Sequence, residues 1–341
     1  MSLNIAVTPD SDLGVVEVNY RRAIVRALGD ELRLNPSVVL LGEDIGAAGG
    51  VFKTTAGLRD EFGDRVRDTP ISEQAIIGAT IGAAVSGLRP VAEIMFADFA
   101  GVCFDQIANS LAKYRYTTNG QVSVPVTIRL ANGAGSGFGA QHSQSVENWF
   151  LNIPGLKIAV PGTVEDVYGM LRAAIQDDDP VLIFEHKSLF NVKGSLPARA
   201  LPGWNVPLGV ASIPHPGTEV TVVATQLMRH RAIAAAEHLG HRGISVEVLD
   251  PRTLIPFDYT AVAESLKKTS RLVVVQEGPR AGGWGATLVA HMVTDHMDLL
   301  DAPPALATSD EIPVPYALVL EEASMPSIER IEQEIQRVLT Y

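Results

Sequence analysis

Cysteine is nearly absent from this 341-residue chain. Cys103 is the only one, so no internal disulfide framework can form and a reducing compartment is expected. There is no block of Lys or Arg, and the formal charge is −12. A duplex-binding surface needs clustered cations to displace counterions from phosphates, so nucleic acid is not an expected partner. No apolar run approaches the ~18 residues that span a bilayer, and no membrane partner is expected. The start, Met1–Asp12, has neither a basic region nor an apolar core, so no secretory signal is expected there. P-loop, H-E-x-x-H and G-x-S-x-G motifs are missing. His238 and His241, three apart beside Gly240 and Gly243, suit the cationic end of a helix better than a zinc pair.

What is present is ordinary globular composition, with 46% hydrophobic and 19% charged residues. The length suits about two domains of ~150 residues. A cytoplasmic enzyme or enzyme subunit is the expected class.

Short continuous apolar runs recur at Val38–Leu41, Pro90–Met95, Pro125–Leu130, Leu156–Val160 and Val181–Phe184. They resume at Val220–Ala224, Ile244–Leu249 and Leu272–Val275. Strands buried on both faces have this pattern. Helical spacing separates them at Val18–Leu34, Glu73–Ser86, Asp105–Tyr116, Val164–Gln176, His230–Leu239 and Tyr259–Lys267. The alternation predicts an α/β fold with two parallel-sheet domains. A Pro- and Gly-rich stretch around 193–217 marks the boundary. The domains expected are 1–195 and 217–341, joined by a linker at 196–216. Ile328, Ile331, Ile335 and Leu339 predict a terminal amphipathic helix.

Three segments carry candidate chemistry. In Asp68-Thr69-Pro70-Ile71-Ser72-Glu73, proline disfavours helix before it and Ser72 is a good N-cap. Glu73 then opens a helix whose Gly78, Gly82, Ala83 and Ala84 allow close approach by a neighbouring helix or a ligand. On spacing alone, Glu73 does no more than complement the helix dipole. A buried carboxylate there would instead be a proton carrier. The second segment, Asn132–Ser145, contains Gly135, Gly137 and Ala140 in a G-x-G-x-x-A pattern. No helix of useful length follows, so the glycines fit an irregular loop better than a dinucleotide site. His142 lies in that loop, either as a solvated surface histidine or as a catalytic one. The third, Glu93–Phe99, runs off the end of a strand, where α/β sheets bind ligands. Phe99 there is either a core aromatic or a ring face for a flat heterocycle. Gly42-Glu43-Asp44 ends an earlier strand and is a further candidate for the same crevice.

Taken together these segments resemble a known family. Leu41-Gly42-Glu43-Asp44, Gly50-Val51-Phe52, Asp68–Glu73, Gly87–Val91 and Gln141–Ser145 stand in its order and spacing. Pro154-Gly155-Leu156, Asp179-Pro180-Val181 and Arg252-Thr253-Leu254 continue the match over nearly the whole chain. The family comprises the beta subunits of the decarboxylating first components of pyruvate, acetoin and branched-chain 2-oxo acid dehydrogenase complexes, which are transketolase-like.

The resemblance implies a thiamine-diphosphate-binding pyrimidine domain followed by a transketolase C-terminal domain. It places Glu73 at the cofactor's pyrimidine nitrogen as its proton partner, Phe99 against the ring, and Ile71 beside it. His142 would bind substrate or support acyl transfer to lipoyl groups. Some members hold a structural potassium ion, largely through main-chain carbonyls; the matching positions are Val126, Ala174, Asp177 and Asp179. Single-chain thiamine enzymes hold Mg2+ and the diphosphate with a Gly-Asp-Gly motif followed by Asn-Asn. This chain has neither, and in the family the motif lies on the alpha subunit. The implied assembly is two alpha and two beta chains on a lipoyl acyltransferase core, acting on pyruvate first, or on acetoin. Alternatives are a branched-chain 2-oxo acid as substrate, a non-catalytic assembly subunit, and a nucleotide-binding oxidoreductase built on the glycine loop.

Overall fold

The computed structural model describes residues 14–199 and 203–341; Met1–Asp12 and Pro202 of the connecting stretch lie outside them. Strands are numbered β1–β14 in chain order. β1 (Val15–Asn19) and β8 (Lys193–Pro197) pair antiparallel as a two-stranded ribbon. The larger sheet combines β2 (Val38–Gly42), β3 (Val66–Asp68), β4 (Arg89–Ile94), β5 (Thr127–Asn132), β6 (Lys157–Ala159), β7 (Val181–His186) and β12 (Thr253–Ile255). Its order is β12-β6-β7-β5-β4-β2-β3, parallel except for β12. The second sheet combines β9 (Ser212–His215), β10 (Val220–Ala224), β11 (Val246–Asp250), β13 (Leu272–Gln276) and β14 (Ala305–Thr308). Its order is β14-β13-β10-β11-β9, with only β9 antiparallel.

Every residue of β5, β7, β10, β11 and β13 is buried. Helices cover both faces, so most of these positions are apolar and the charged ones are paired, as Arg129 is with Glu185. The helices start where side chains satisfy their first amides. Asn19 caps Tyr20–Leu34, Thr163 caps Val164–Gln176, Asp258 caps Tyr259–Thr269 and Ser327 caps Ile328–Leu339. Ile331, Ile335 and Val338 bury the last helix against the second sheet.

Several elements differ from expectation. The Asp105–Tyr116 helix is instead a π-helix at Gln106–Leu111 and a short turn of α-helix at Tyr114–Thr117. The Ala112 amide reaches back five residues to the Ile107 carbonyl, which widens the turn. β9 lies inside the stretch expected to be linker, and β8 overlaps its start. β12 follows three strands of the second sheet in sequence, yet it pairs with β6 of the first. The two sheets are therefore tied by a strand as well as by side chains.

Candidate active site

The parallel register brings the candidate residues to one edge. Gly42 pairs with Asp68 and with Glu93, and Asn132 pairs with His186. The C-terminal ends of β2, β3, β4, β5 and β7 therefore align, at the edge where such sheets take ligands. From it leave Glu43, the Thr69–Ser72 turn, the Phe96–Phe99 segment, the loop at 133–145, and Lys187.

Glu73 is the first residue of the Glu73–Val85 helix and is only 9% exposed. Its neighbours register its charge. Burial, then the Glu73 carboxylate, pushes the Cys103 thiol up to about 12. Burial, then Glu73 and Asp44, raises the Glu43 carboxyl above its ordinary range. Two acids and a thiol thus share one neighbourhood. Ser72 has the extended N-cap backbone, but its exposed side chain accepts no capping hydrogen bond; the expected cap does not form. Ile71 beside it is 84% exposed. Apart from the helix's own backbone, no described residue lies within 4 Å of a Cβ built on Gly78 or Gly82. The close approach expected of that small-residue face therefore finds no partner among the described residues.

His142 is half-buried, not a solvated surface group. Its ring stands edge-on to Phe96 with centroids 4.6 Å apart, and to Phe99 at 5.2 Å. Phe96 also packs against Phe52 at 5.4 Å and Phe138 at 5.6 Å. Phe99 is partly buried against the core and keeps part of its surface open, so it is both a core aromatic and part of the crevice wall.

The loop carrying His142 is shaped by glycine and held by acids. Gly133 has φ +86°, and a Cβ there would lie 2.3 Å from His186 Nε2; only glycine fits so close an approach. Glu277, just past β13, accepts hydrogen bonds from the Ala134 amide at 2.7 Å and Ser145 Oγ at 2.9 Å. Glu321 accepts from the Gly137 amide at 2.8 Å. Asp98 accepts from Gln144 through its side-chain amide at 2.8 Å and its main-chain amide at 3.3 Å. The Ser188 amide donates to His186 Nδ1 at 3.2 Å. The other ring nitrogen, His186 Nε2, stands 2.8 Å from Glu277 Oε2. Burial alone would raise the Glu277 carboxyl, but His186 and these donors hold it at about 2.

The chain matches two domain families in succession: transketolase, pyrimidine binding domain, over residues 16–193, and transketolase, C-terminal domain, over 209–331. It is 45% identical over 329 residues to the Bacillus subtilis (strain 168) acetoin:2,6-dichlorophenolindophenol oxidoreductase subunit beta, covering 92% of this chain and 95% of that one. To the mitochondrial pyruvate dehydrogenase E1 component subunit beta-1 of Oryza sativa subsp. japonica it is 41% identical over 323 residues, covering 94% and 86%. A split-gene transketolase, solved as an inactive beta4 tetramer, superposes with a TM-score of 0.77 at 25% identity over 95% of this chain and 98% of that one. The chain belongs to the beta-subunit family of pyruvate and acetoin dehydrogenases.

The pyrimidine domain of this beta subunit marks it as a member of a thiamine-diphosphate-binding family. Glu73, Phe99 and His142 come to one edge of its first sheet, with Ile71 at the rim. The other predicted set lies apart from them. The Val126 carbonyl accepts from the Val181 amide and the Ala174 carbonyl from the Asp177 amide. Arg89 Nη1 donates to the Asp177 carbonyl at 3.0 Å. The Asp177 carboxylate accepts from Lys157 Nζ at 2.7 Å through both oxygens, and Arg115 pairs with Asp179. These carbonyls keep a second lone pair, the kind of oxygen potassium takes, but the carboxylates already have cationic partners. Among the described residues no group of three His, Cys, Asp or Glu side chains could hold a metal ion, and no helix is long and apolar enough to cross a membrane.

Sequence reasoning missed Glu277, Glu321, Asp98 and Lys187. Asp98 lies within the Glu93–Phe99 segment and Lys187 and Glu277 just past strands, while Glu321 sits in the Leu318–Ser324 helix; none has a spacing signal, because their common target is a loop distant in sequence.

Proposed function

We propose that this beta subunit supplies the pyrimidine side of a thiamine diphosphate site and is completed by an alpha subunit holding Mg2+ and the diphosphate. The observation that carries this is Glu73: a carboxylate shielded from water at a strand-to-helix turn, on the same edge as the Phe99 ring and His142. These residues fit the cofactor's aminopyrimidine, a flat ring needing one acid and one apolar wall. Thiamine diphosphate, when bound, supplies the electron sink for cleavage beside a carbonyl. Glu73 holds and returns a proton at the ring nitrogen. Phe99 and Ile71 exclude water from that contact. His142, fixed between Phe96 and Phe99, orients the substrate oxygen or supports acyl transfer to a lipoyl group.

The open face at Gly78 and Gly82 and the exposed Ile71 support a partner chain there. That a related beta4 tetramer is inactive agrees with a beta chain that needs one. The assembly is two alpha and two beta chains, served by a lipoyl acyltransferase core in the cytoplasm. Pyruvate or acetoin is the substrate, the names borne by the relatives, with branched-chain 2-oxo acids the comparison. A potassium ion at Val126, Ala174, Asp177 and Asp179 is a structural addition that the chemistry does not require.

The test is assembly with the alpha chain and assay against pyruvate, acetoin and branched-chain 2-oxo acids. Glu73→Gln should lower turnover by at least about 100-fold, as expected for loss of a positioned proton carrier. Turnover equal to the parent's would show that Glu73 moves no proton. Tight NAD binding with no response to thiamine diphosphate would instead favour a nucleotide-binding oxidoreductase.

A further inference from the structure

Lys187 follows β7 directly and is 5% exposed. Its Nζ is buried and has no hydrogen-bond partner among the described residues. It lies 5.7 Å from the centroid of the Phe96 ring, the ring on which His142 packs. Asp98, Glu277 and Glu321 exert their charge on it. These are the acids that accept hydrogen bonds from the 133–145 loop, and they come from three separate elements. Asp98 and Glu321 each use one oxygen for the loop and keep the other buried without a partner. Three carboxylates in a poorly hydrated space repel one another unless a cation stands among them.

We propose that Lys187 is a positioning residue, the internal cation that lets Asp98, Glu277 and Glu321 hold the glycine loop together and so fixes His142 against Phe96. The lysine touches neither substrate nor cofactor; it acts through the three acids and the Phe96 ring. Burial pulls its ammonium down to about 8 against the opposing pull of those acids. The inference rests on the reading of His142 given above, but its test does not need catalysis.

Hydrogen exchange of loop amides is measured in the full chain, alone and assembled with its alpha subunit. Lys187→Met should speed exchange at Ala134, Gly137 and Gln144 roughly tenfold or more. The amides of β5 and β7 should be much less affected, and the melting temperature should fall, because the three acids lose their cation. Lys187→Arg keeps the charge and should restore parental exchange. Adding Glu321→Gln to Lys187→Met removes one acid and should bring the loop partway back. If Lys187→Met does not fold, pH replaces the substitution. Above about pH 8 the parent loop should exchange faster than its intrinsic rate predicts, and that of Lys187→Arg should not. His186, on Lys187's own segment, and His142, on the same Phe96 ring, are the other titratable neighbours and are common to both proteins. Loop exchange unchanged in Lys187→Met, or identical pH behaviour in parent and Lys187→Arg, overturns the proposal. Either result leaves the Glu73 test untouched.

Discussion

His186 Nε2 stands 2.8 Å from Glu277 Oε2, joining the end of β7 in the first sheet to the end of β13 in the second. The same carboxylate accepts from Ala134 and Ser145, so one acid of the second domain holds both a strand end and the loop of the first. Glu277→Gln keeps the shape but loses the charge, and hydrogen bonds to charged groups contribute about 1.5–3 kcal/mol each. Denaturant unfolding should show a loss of roughly 2–4 kcal/mol at pH 7. The folded carboxyl sits at about 2, below its unfolded value. Its contribution is therefore present above about pH 4.5 and is lost as pH falls toward 2, so parent and variant should converge in acid. An undiminished gap at pH 2 would contradict this assignment.

Glu147 behaves oppositely. It is fully buried, accepts from Asn132 Nδ2 at 2.8 Å, and burial raises its carboxyl to about 7. A raised carboxyl stabilises the fold below its unfolded value, and that contribution is lost as pH rises through 7. Glu147→Gln, permanently neutral, should match the parent near pH 4 and exceed it at pH 8 by roughly 1–3 kcal/mol. Melting curves across that range decide it; a variant less stable at pH 8 would mean the ionised form is the one the fold prefers.

Gly133→Ala places a methyl group into His186 at a left-handed backbone position. Strain and overpacking together should cost about 2–5 kcal/mol. The loop should be disturbed before the sheet is, visible as changed NMR resonances for His142 and His186 while β10 and β11 keep theirs. Wild-type melting and unshifted histidine signals would show that the backbone has room here.

Potassium can be judged by substitution of salts. If the Val126, Ala174, Asp177 and Asp179 carbonyls bind it, potassium chloride should raise the melting temperature over choline chloride at equal ionic strength, by mass action on the folded state. No difference at saturating salt would mean that Lys157, Arg89 and Arg115 are the only cations this turn uses.

The sequence by itself determined the α/β class. Strands buried on both faces must be written as apolar runs, and Val164–Gln176 and Val220–Ala224 appear in the structure with the bounds read from the chain. It also displayed the segments of a known family, without which Glu73 would have remained a helix-end carboxylate. Tertiary structure decided the rest, because it depends on contacts between residues far apart in the chain. β12 crosses to the other sheet through pairing with β6, which no local pattern announces. The Asp105–Tyr116 region winds as a π-helix because one amide reaches five residues back. For His142 the residues alone left a surface and a catalytic reading open, and only the fold sets Phe96 and Phe99 against its ring. Nothing in the sequence links Lys187, Asp98, Glu277 and Glu321; only folding collects their charges around one glycine loop.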